Sequence, residues 1–464
     1  MWMVHQATDE NIQKLLSLNE DQFNDFKDKE SVAKCTKTIS AFANADGGEL
    51  FIGIRDAKEK DRLSRLFRDQ EEANGCINEI FKQFSDGPEY INIEFLKLSN
   101  AGFCLHVTVQ KAPFVVRSSD GRVFRRQNAS DIELKTISEL QRIELEKGVR
   151  SFEDSAVEAE LHEIEGSRAV LSFLENVVPS ASLKDFMQKE RLMAKDRLRV
   201  CALILFDDNP QTLLPHAAVK VYRYRTLANE GDREDLEDQP HTIEGSAYEV
   251  IYETVRYTKE KVEAIPMLSD LGLVQIKYPP EAIHEVICNA VLHRDYSIND
   301  YVHVRIFDNR IEVESPGKLA GPVTIHNILK QRFARNKKTV RLIAKFPSPP
   351  NKDVGEGLNT AFRSMQQLNL GRPDIEETDG SVIVRLKHEP LASKGELIIQ
   401  YLKKSGSINN KKAREVCNVQ SDSVIRKLFH SMIAAGEIEK VPHTRGTGTK
   451  YRIPLMSIHK TNSR

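Results

Sequence analysis

The sequence predicts a multidomain α+β protein, and three observations carry that expectation. At 464 residues the chain is long enough for about three domains. Segments with helical apolar periodicity are interspersed with short apolar or alternating runs that suit strands. The composition is that of a globular chain, 40% hydrophobic and 29% charged. No apolar run approaches the ~18 residues of a membrane span. The start, Met-Trp-Met-Val-His-Gln, has no charged lead before an apolar block, so neither a membrane segment nor a secretion signal is expected. The six cysteines (35, 76, 104, 201, 288, 417) are scattered without a Cys-x-x-Cys pair. They are expected to be reduced, mostly buried thiols of a cytoplasmic protein, not zinc ligands or disulfides.

Charge is unevenly spread. From Lys394 onward there are 14 Lys/Arg and 5 Asp/Glu, a surplus of +9, against a net −1 for the whole chain. A basic end on an acidic body points to a local nucleic-acid contact.

The first segment is expected to span 1–150. A short helix over 12–18 precedes a strand over 20–27. Ser31 is placed to cap a helix carrying Val32, Cys35, Ile39, Phe42 and Ala43. Asn-Ala-Asp-Gly-Gly at 44–48 is a turn signal. A buried strand over 49–54, a helix over 71–83 and strands over 91–98 and 103–109 follow. Residues 111–117 and 121–126 form the expected last pair, hairpin-like. Arg117, Arg122, Arg125 and Arg126 cluster there beside Phe114 and Phe124. Such a cluster suits phosphate contacts, and pairing with local acids explains it equally well.

A connecting segment is expected over 151–275. Residues 158–178 and 183–194 read as helices. The unbroken apolar run 200–206 reads as a buried strand, with a second strand over 218–224. An acidic loop follows at 230–239 and an amphipathic helix at 246–262. No catalytic motif stands out in this stretch.

The third segment, 276–390, opens on Tyr-Pro-Pro-Glu-Ala-Ile-His-Glu-Val-Ile-Cys-Asn-Ala-Val-Leu-His-Arg-Asp-Tyr, 278–296. Pro279 and Pro280 suit a helix start. Ile283, Val286, Ile287, Ala290 and Val291 form one apolar stripe. Glu285, Asn289 and His293 lie four apart on the opposite side. A carboxylate, an amide and an imidazole in this order can hold a hydrated Mg²⁺ and hydrogen-bond a phosphate. The same spacing also describes a solvated polar face. Strands over 301–307 and 310–315 turn at Asp308-Asn309. Ser315-Pro-Gly317-Lys-Leu follows, then a helix over 338–344. Asp353-Val-Gly355-Glu-Gly357-Leu opens a helix over 359–368, where backbone N–H groups can face phosphates. A strand over 381–386 closes the segment. No Gly-x-x-x-x-Gly-Lys-Ser/Thr sequence occurs, which argues against a P-loop ATPase or helicase.

The last segment, 391–464, reads as three helices (396–404, 411–417, 421–435) and two strands around a glycine-rich tip. This order is similar to a winged helix. The third helix would enter a major groove with Arg426 and Lys427, and the hairpin with Arg445 and Lys450 would touch the backbone. A winged helix used for dimerisation is the alternative.

Two stretches carry a family resemblance. Glu-x-x-x-Asn-Ala-x-x-His-Arg-Asp-Tyr at 285–296 resembles the N-box of the GHKL ATPase superfamily. It looks specifically like the variant found in bacterial and archaeal ATP-binding proteins that carry an N-terminal Schlafen AlbA-like domain. Glu20-x₄-Asp25-Phe-Lys27, the run 37–48, Ile-Gly-Ile-Arg-Asp56 and Val-Phe-Arg-Arg126 resemble that Schlafen domain. The resemblance covers nearly the whole chain. It implies a Schlafen/AlbA-like α+β domain, a GHKL-like α/β sandwich and a winged helix. It implies that Asn289 ligates Mg²⁺, that Glu285 polarises a water or completes the metal shell, and that His293 lines the ATP site. Ser315 and Gly317 fall in the first glycine box, Ser315 where the superfamily has an adenine-binding Asp. Gly355 and Gly357 fall in the second. In nuclease relatives three acids hold Mg²⁺ or Mn²⁺; here those places are Glu20, Asp25 and Asp56, with Asp25 standing where Glu is usual. Such a metal would activate a water, and Lys27 could hold the scissile phosphate. The implied function is an ATP-regulated, metal-dependent endonuclease on tRNA, other RNA or single-stranded DNA, in antiphage defence and as a homo-oligomer. The alternative is a non-enzymatic, nucleotide-sensing transcriptional regulator that binds duplex DNA.

Overall fold

The computed structural model describes residues 4–454 apart from 60, 85–86, 99–101, 180–181, 270–271, 276–277, 352–356, 369, 388–393, 418–420, 445 and 447–448. Side chains and sheets within it form a mixed α/β, multidomain protein.

The N-terminal part is built on a five-stranded sheet. Its order is Val4–Gln6, Ile91–Lys97, Phe103–Val109, Gly48–Ile52, Asn24–Lys27. The two outer pairings are parallel and the two inner ones antiparallel. Helices Val32–Ala43 and Gln70–Gln83 bury Cys35, Ile39, Phe42, Cys76, Ile77 and Ile80 against it. Gly47 turns the chain into strand Gly48–Ile52 with φ +90°, and a Cβ there would meet the Val109 carbonyl oxygen at 2.7 Å. Two expectations fail here. The strand over 20–27 begins only at Asn24, because Asp21 Oδ1 accepts from the N–H groups of Phe23 (2.8 Å) and Asn24 (2.7 Å) and folds the preceding residues into a turn. Residues 111–126 make one bridge, Arg117 to Val123, instead of a hairpin; Phe124–Gln127 pairs forward with Ser130–Glu133. Helix Ile137–Glu146 was not foreseen, although Thr136 and Glu139 form a reciprocal capping box at its start.

Beyond it, residues from Ala159 to Leu386 share one hydrophobic core. A six-stranded sheet runs His241–Ile243, Val219–Arg223, Val302–Ile306, Arg310–Pro316, Ser381–Lys387, Asp374–Glu377. Helices Ala247–Glu263, Pro280–His293 and Gly357–Gln367 pack together with it. The sheet therefore takes strands from both sides of residue 275, where a boundary was expected. The physical reason is the parallel pairing of Val219–Arg223 with Val302–Ile306, which needs a long crossover connection.

The apolar run 200–206 is a helix, Val200–Phe206, with all seven residues buried. Unbroken apolarity suits a buried helix as well as a strand. The helices expected over 158–178 and 183–194 are shorter: Leu161–Ile164, Arg168–Val177 and Leu183–Lys189. Ser167 interrupts the first stretch as an N-cap, accepting from Val170 N at 3.0 Å; the second starts as expected behind Ser182 and ends early, with Arg191 at φ +55° beyond it. Strands Ala156–Glu160, Arg197–Arg199 and Met193–Ala194 make a small sheet. Phe173, Phe186, Phe206 and Phe346 pack together at 4.8–5.8 Å between ring centroids.

The C-terminal part has helices Lys394–Ser405, Asn410–Val416 and Asp422–Ala434 and a three-stranded sheet, Ile408–Asn409, Lys450–Arg452, Glu439–Lys440. Ile398, Leu402, Ile425, Leu428, Phe429 and Met432 form its core. All six cysteines are free and buried. Among the described residues no helix is long and apolar enough to cross a membrane.

Leu203 lies in the middle of the buried helix and is fully enclosed. Leu203→Ala is expected to cost about 2–5 kcal/mol in urea unfolding. A loss below ~1 kcal/mol would contradict that placement.

Candidate functional site

Helix Pro280–His293 begins with proline at its first turn. Its stripe of Ile283, Val286, Ile287, Ala290 and Val291 faces the core. The opposite face contributes Glu281, His284, Glu285, Asn289 and His293 to the lining of a cleft of about 800 Å³. That size suits a small-molecule ligand. Val313, Ser315, Val382 and Val384 come from the neighbouring strands. A long wall runs from Gly317 to Arg335, and Leu358, Asn359 and Thr360 stand at the start of helix Gly357–Gln367.

Asn289 and Glu285 are joined: Asn289 Nδ2 donates to Glu285 Oε1 at 2.7 Å. Burial raises the Glu285 carboxyl above its ordinary range, and the Asn289 bond offsets only part of this. Asn289 Oδ1 accepts no hydrogen bond among the described residues, so a neutral oxygen and a carboxylate remain for a ligand. Hard oxygen donors of this kind fit Mg²⁺. Burial pushes His293 down to about 4, and Arg335 adds to the shift. Ser315 Oγ donates to the Ala290 carbonyl at 2.8 Å, tying its strand to the helix. Gly317 has φ +101°, and a Cβ there would meet Asp295 Cβ at 2.6 Å. Gly357 opens its helix, whereas Gly355 lies outside the described residues. Lys318, Arg332 and Arg335 bring positive charge to the lining; Lys318 is 3.7 Å from Asp379, and Arg332 is exposed.

Sequence reading missed what anchors the wall. Asp295, buried two residues past the helix, receives Arg335 Nη1 at 3.2 Å and Arg142 Nη1 at 3.0 Å. Burial works to raise Asp295, but Arg335, Ser297 and Arg142 outweigh it and hold the carboxyl below its usual value. Asp295 stood in the recognised motif, so half of the pair was visible; its partners are distant in sequence and carry no local signal.

The N-terminal acids are not gathered as metal ligands. Asp25 is buried, with Oδ1 paired to Lys27 and Oδ2 2.6 Å from Arg126 Nη1. Lys27 Nζ also reaches Glu20 Oε1 at 3.3 Å. Asp56 accepts from its own turn at Lys58 N, 3.3 Å, and shares only the field of Arg62 with Glu20. Among the described residues no three metal-ligating side chains form a group. The reason is the strand period: Lys27, two residues after Asp25, points to the same face and takes the place between the carboxylates. Burial pushes Asp25 up to about 6 against the pull of Lys27. Burial works to lower Lys27, yet Asp25 and Glu20 hold it above its ordinary value. In this arrangement two cations, Lys27 and Arg126, take the places beside these carboxylates.

The expected arginine cluster is largely neutralised as well. Arg126 is buried on Asp25 and on Asp131 (2.8 Å). Arg125 pairs with Glu146 at 2.9 Å, and Arg122 with Asp120 (2.5 Å) and Glu133 (3.3 Å). Arg117 donates to the Gly121 carbonyl at 3.0 Å. In the C-terminal part Arg426 pairs with Asp422 at 2.6 Å. Lys427 and Lys450 are exposed with no carboxylate partner among the described residues. Arg445 lies outside them.

Comparison with known proteins defines the class first. Residues 20–135 match the family model described as "Schlafen, AlbA_2". Residues 299–386 match the one described as "Putative ATP-dependent DNA helicase recG C-terminal". The chain thus carries a Schlafen AlbA-type domain and, after it, an ATPase-type domain. The first match contains Glu20, Asp25 and Asp56; the second starts after Asn289 and contains Ser315 and Gly317. No curated protein matches the chain. Among solved structures, the DIP2311 protein from Corynebacterium diphtheriae is similar at 14% identity, over 96% of this chain and 98% of that one, with a TM-score of 0.40.

The folded protein holds His293 neutral down to about pH 4, whereas an unfolded chain protonates its histidines below about 6.5. The stability this group contributes is therefore full above pH ~6.5 and lost as pH falls towards its folded value. His293→Gln should flatten the fall in melting temperature across that window relative to wild type. An unchanged profile would contradict an imidazole held neutral in the folded protein.

Proposed function

We propose that the protein binds nucleic acid under the control of a nucleotide, Mg²⁺-ATP, held in the cleft beside helix Pro280–His293. The carrying observation is the Asn289–Glu285 pair, hydrogen-bonded at 2.7 Å and facing an ~800 Å³ cleft. The match of residues 299–386 to an ATPase-type domain supports it.

In this reading Asn289 Oδ1 and the Glu285 carboxylate hold the magnesium ion, whose charge offsets that of the phosphates. The start of helix Gly357–Gln367 turns backbone N–H groups towards them. Lys318 and Arg332 add positive charge from the wall. Ser315 and the valines of the two strands leave an apolar floor for a base.

Two parts supply the nucleic-acid contact. One is the Schlafen AlbA-type domain. The other is the C-terminal set of three helices and a small sheet, read as a winged helix, with Arg426, Lys427 and Lys450 towards the phosphates. The +9 surplus from Lys394 onward supports this. Binding without cleavage is favoured by the ion pairs that occupy both Asp25 oxygens. A metal-dependent endonuclease is the second reading. Its support is that Glu20 and Asp25 share Lys27, while Glu20 and Asp56 both act on Arg62.

Asn289→Ala should weaken binding of a fluorescent ATP analogue in Mg²⁺ by at least about tenfold, ~1.4 kcal/mol. Wild-type affinity in that variant would sink the nucleotide reading. Purified protein with Mn²⁺ is expected to retard duplex DNA and leave tRNA and single-stranded DNA uncut. Cleavage by the wild type that vanishes in Asp56→Ala would replace binding with the endonuclease reading.

A further inference from the structure

The wall of the cleft is also a contact surface of the N-terminal part. Leu319, on the cleft side, is held at both backbone groups. Its carbonyl accepts from Lys111 Nζ at 2.9 Å, and its N–H donates to Glu377 Oε1 at 2.6 Å. Lys111 belongs to the Schlafen AlbA-type domain, is buried, and pairs with Asp46 at 3.3 Å. Two residues on, Gly321 N–H donates to the Glu146 carbonyl at 3.0 Å. Phe333, further along the wall, lies over Gly148, where a Cβ would meet its ring at 2.3 Å. Gly148 has φ +69°, so this close approach belongs to glycine alone.

The contacts continue towards the acids. The Glu146 side chain pairs with Arg125 at 2.9 Å and Arg142 at 3.1 Å. Arg125 precedes Arg126, which holds Asp25. Lys147 is fully buried and donates to the Ala43 carbonyl at 2.5 Å. Burial drives it well below its ordinary value, and the neighbouring Lys111 adds to this. Arg142 and Arg335 meet on Asp295, directly after the helix that carries Asn289. The end of helix Ile137–Glu146 is thus wedged between the cleft wall and the Schlafen AlbA-type domain.

We infer that occupancy of the cleft is transmitted to the Schlafen AlbA-type domain through this wedge, Lys111 and Glu146–Gly148. The inference rests on the nucleotide reading of the cleft. A ligand that rearranges residues 317–335 must also change their hydrogen bonds to Lys111 and Glu146. Packed, hydrogen-bonded contacts of this kind switch between discrete arrangements instead of deforming smoothly. Linkage makes the effect reciprocal: a nucleic acid bound on the first domain changes nucleotide affinity by the same factor.

The test combines titration calorimetry with hydrogen–deuterium exchange on the full chain, using a non-hydrolysable ATP analogue with Mg²⁺. In wild type, the analogue should change exchange at least about fivefold in the cleft wall, in residues 137–148 and in strand Phe124–Gln127. In Lys111→Met the change should stay within the cleft, with calorimetric binding retained. Should Lys111→Met fold poorly, Glu146→Gln tests the next step of the path, the Glu146 side-chain pairs with Arg125 and Arg142. Binding with exchange altered only at the cleft in wild type would overturn the coupling and leave the nucleotide reading standing. An absence of calorimetric binding would overturn both. A Lys111→Met and a Glu146→Gln that each transmit the change as wild type does would remove the wedge from the path.

Discussion

The buried pair of Asp295 and Arg335 holds the centre of the molecule together. Asp295 ends the chain's run out of helix Pro280–His293, and its amide donates to the Pro316 carbonyl at 2.8 Å. Gly317 packs onto its Cβ, and Arg335 reaches it from the far end of the cleft wall. Arg335 also donates to the Lys318 carbonyl. Asp295 and Arg335 together therefore tie the end of the helix, the strand end and both ends of the wall. Removing Asp295 would leave the buried Arg335 without its carboxylate, a cost of about 3–5 kcal/mol. The cleft exists in its present shape because that charge is answered.

The acids of the first domain follow the same rule with a different consequence. Asp25 is buried, and burial alone would keep it protonated; Lys27 and Arg126 let it remain charged. Those cations also occupy its two oxygens. A group satisfied in this way builds a rigid corner between Asn24–Lys27, Phe124–Gln127 and Ser130–Glu133. It offers little to a metal ion. At the other end of the wedge Asn289 and Glu285, bonded to each other, line an open cleft.

Most of the architecture was legible in local patterns. Helix Pro280–His293 was written in its prolines and its apolar stripe, and the capped helix Ala247–Glu263 in Ser246 and Glu249. Val200–Phe206 was misread because seven apolar residues have no period to reveal. Helix Ile137–Glu146 had a readable start in Thr136 and Glu139, and it forms the wedge. The helix-borne site residues were visible because their spacing is periodic. The arginine cluster pairs in part with local acids, Asp120, Asp131 and Glu133, and in part with Asp25 and Glu146, which only the tertiary fold brings there. Lys147 carried no signal at all: a lysine after an amphipathic helix is ordinarily solvent-facing, and here only the fold buries it.

The most direct measurement of the central claim is a crystal structure of the full chain with Mg²⁺ and a non-hydrolysable ATP analogue. The account predicts the analogue in the cleft, with the metal on Asn289 and Glu285 and the phosphates at the start of helix Gly357–Gln367. An analogue bound elsewhere, or a cleft filled only by solvent at saturating analogue, would contradict it.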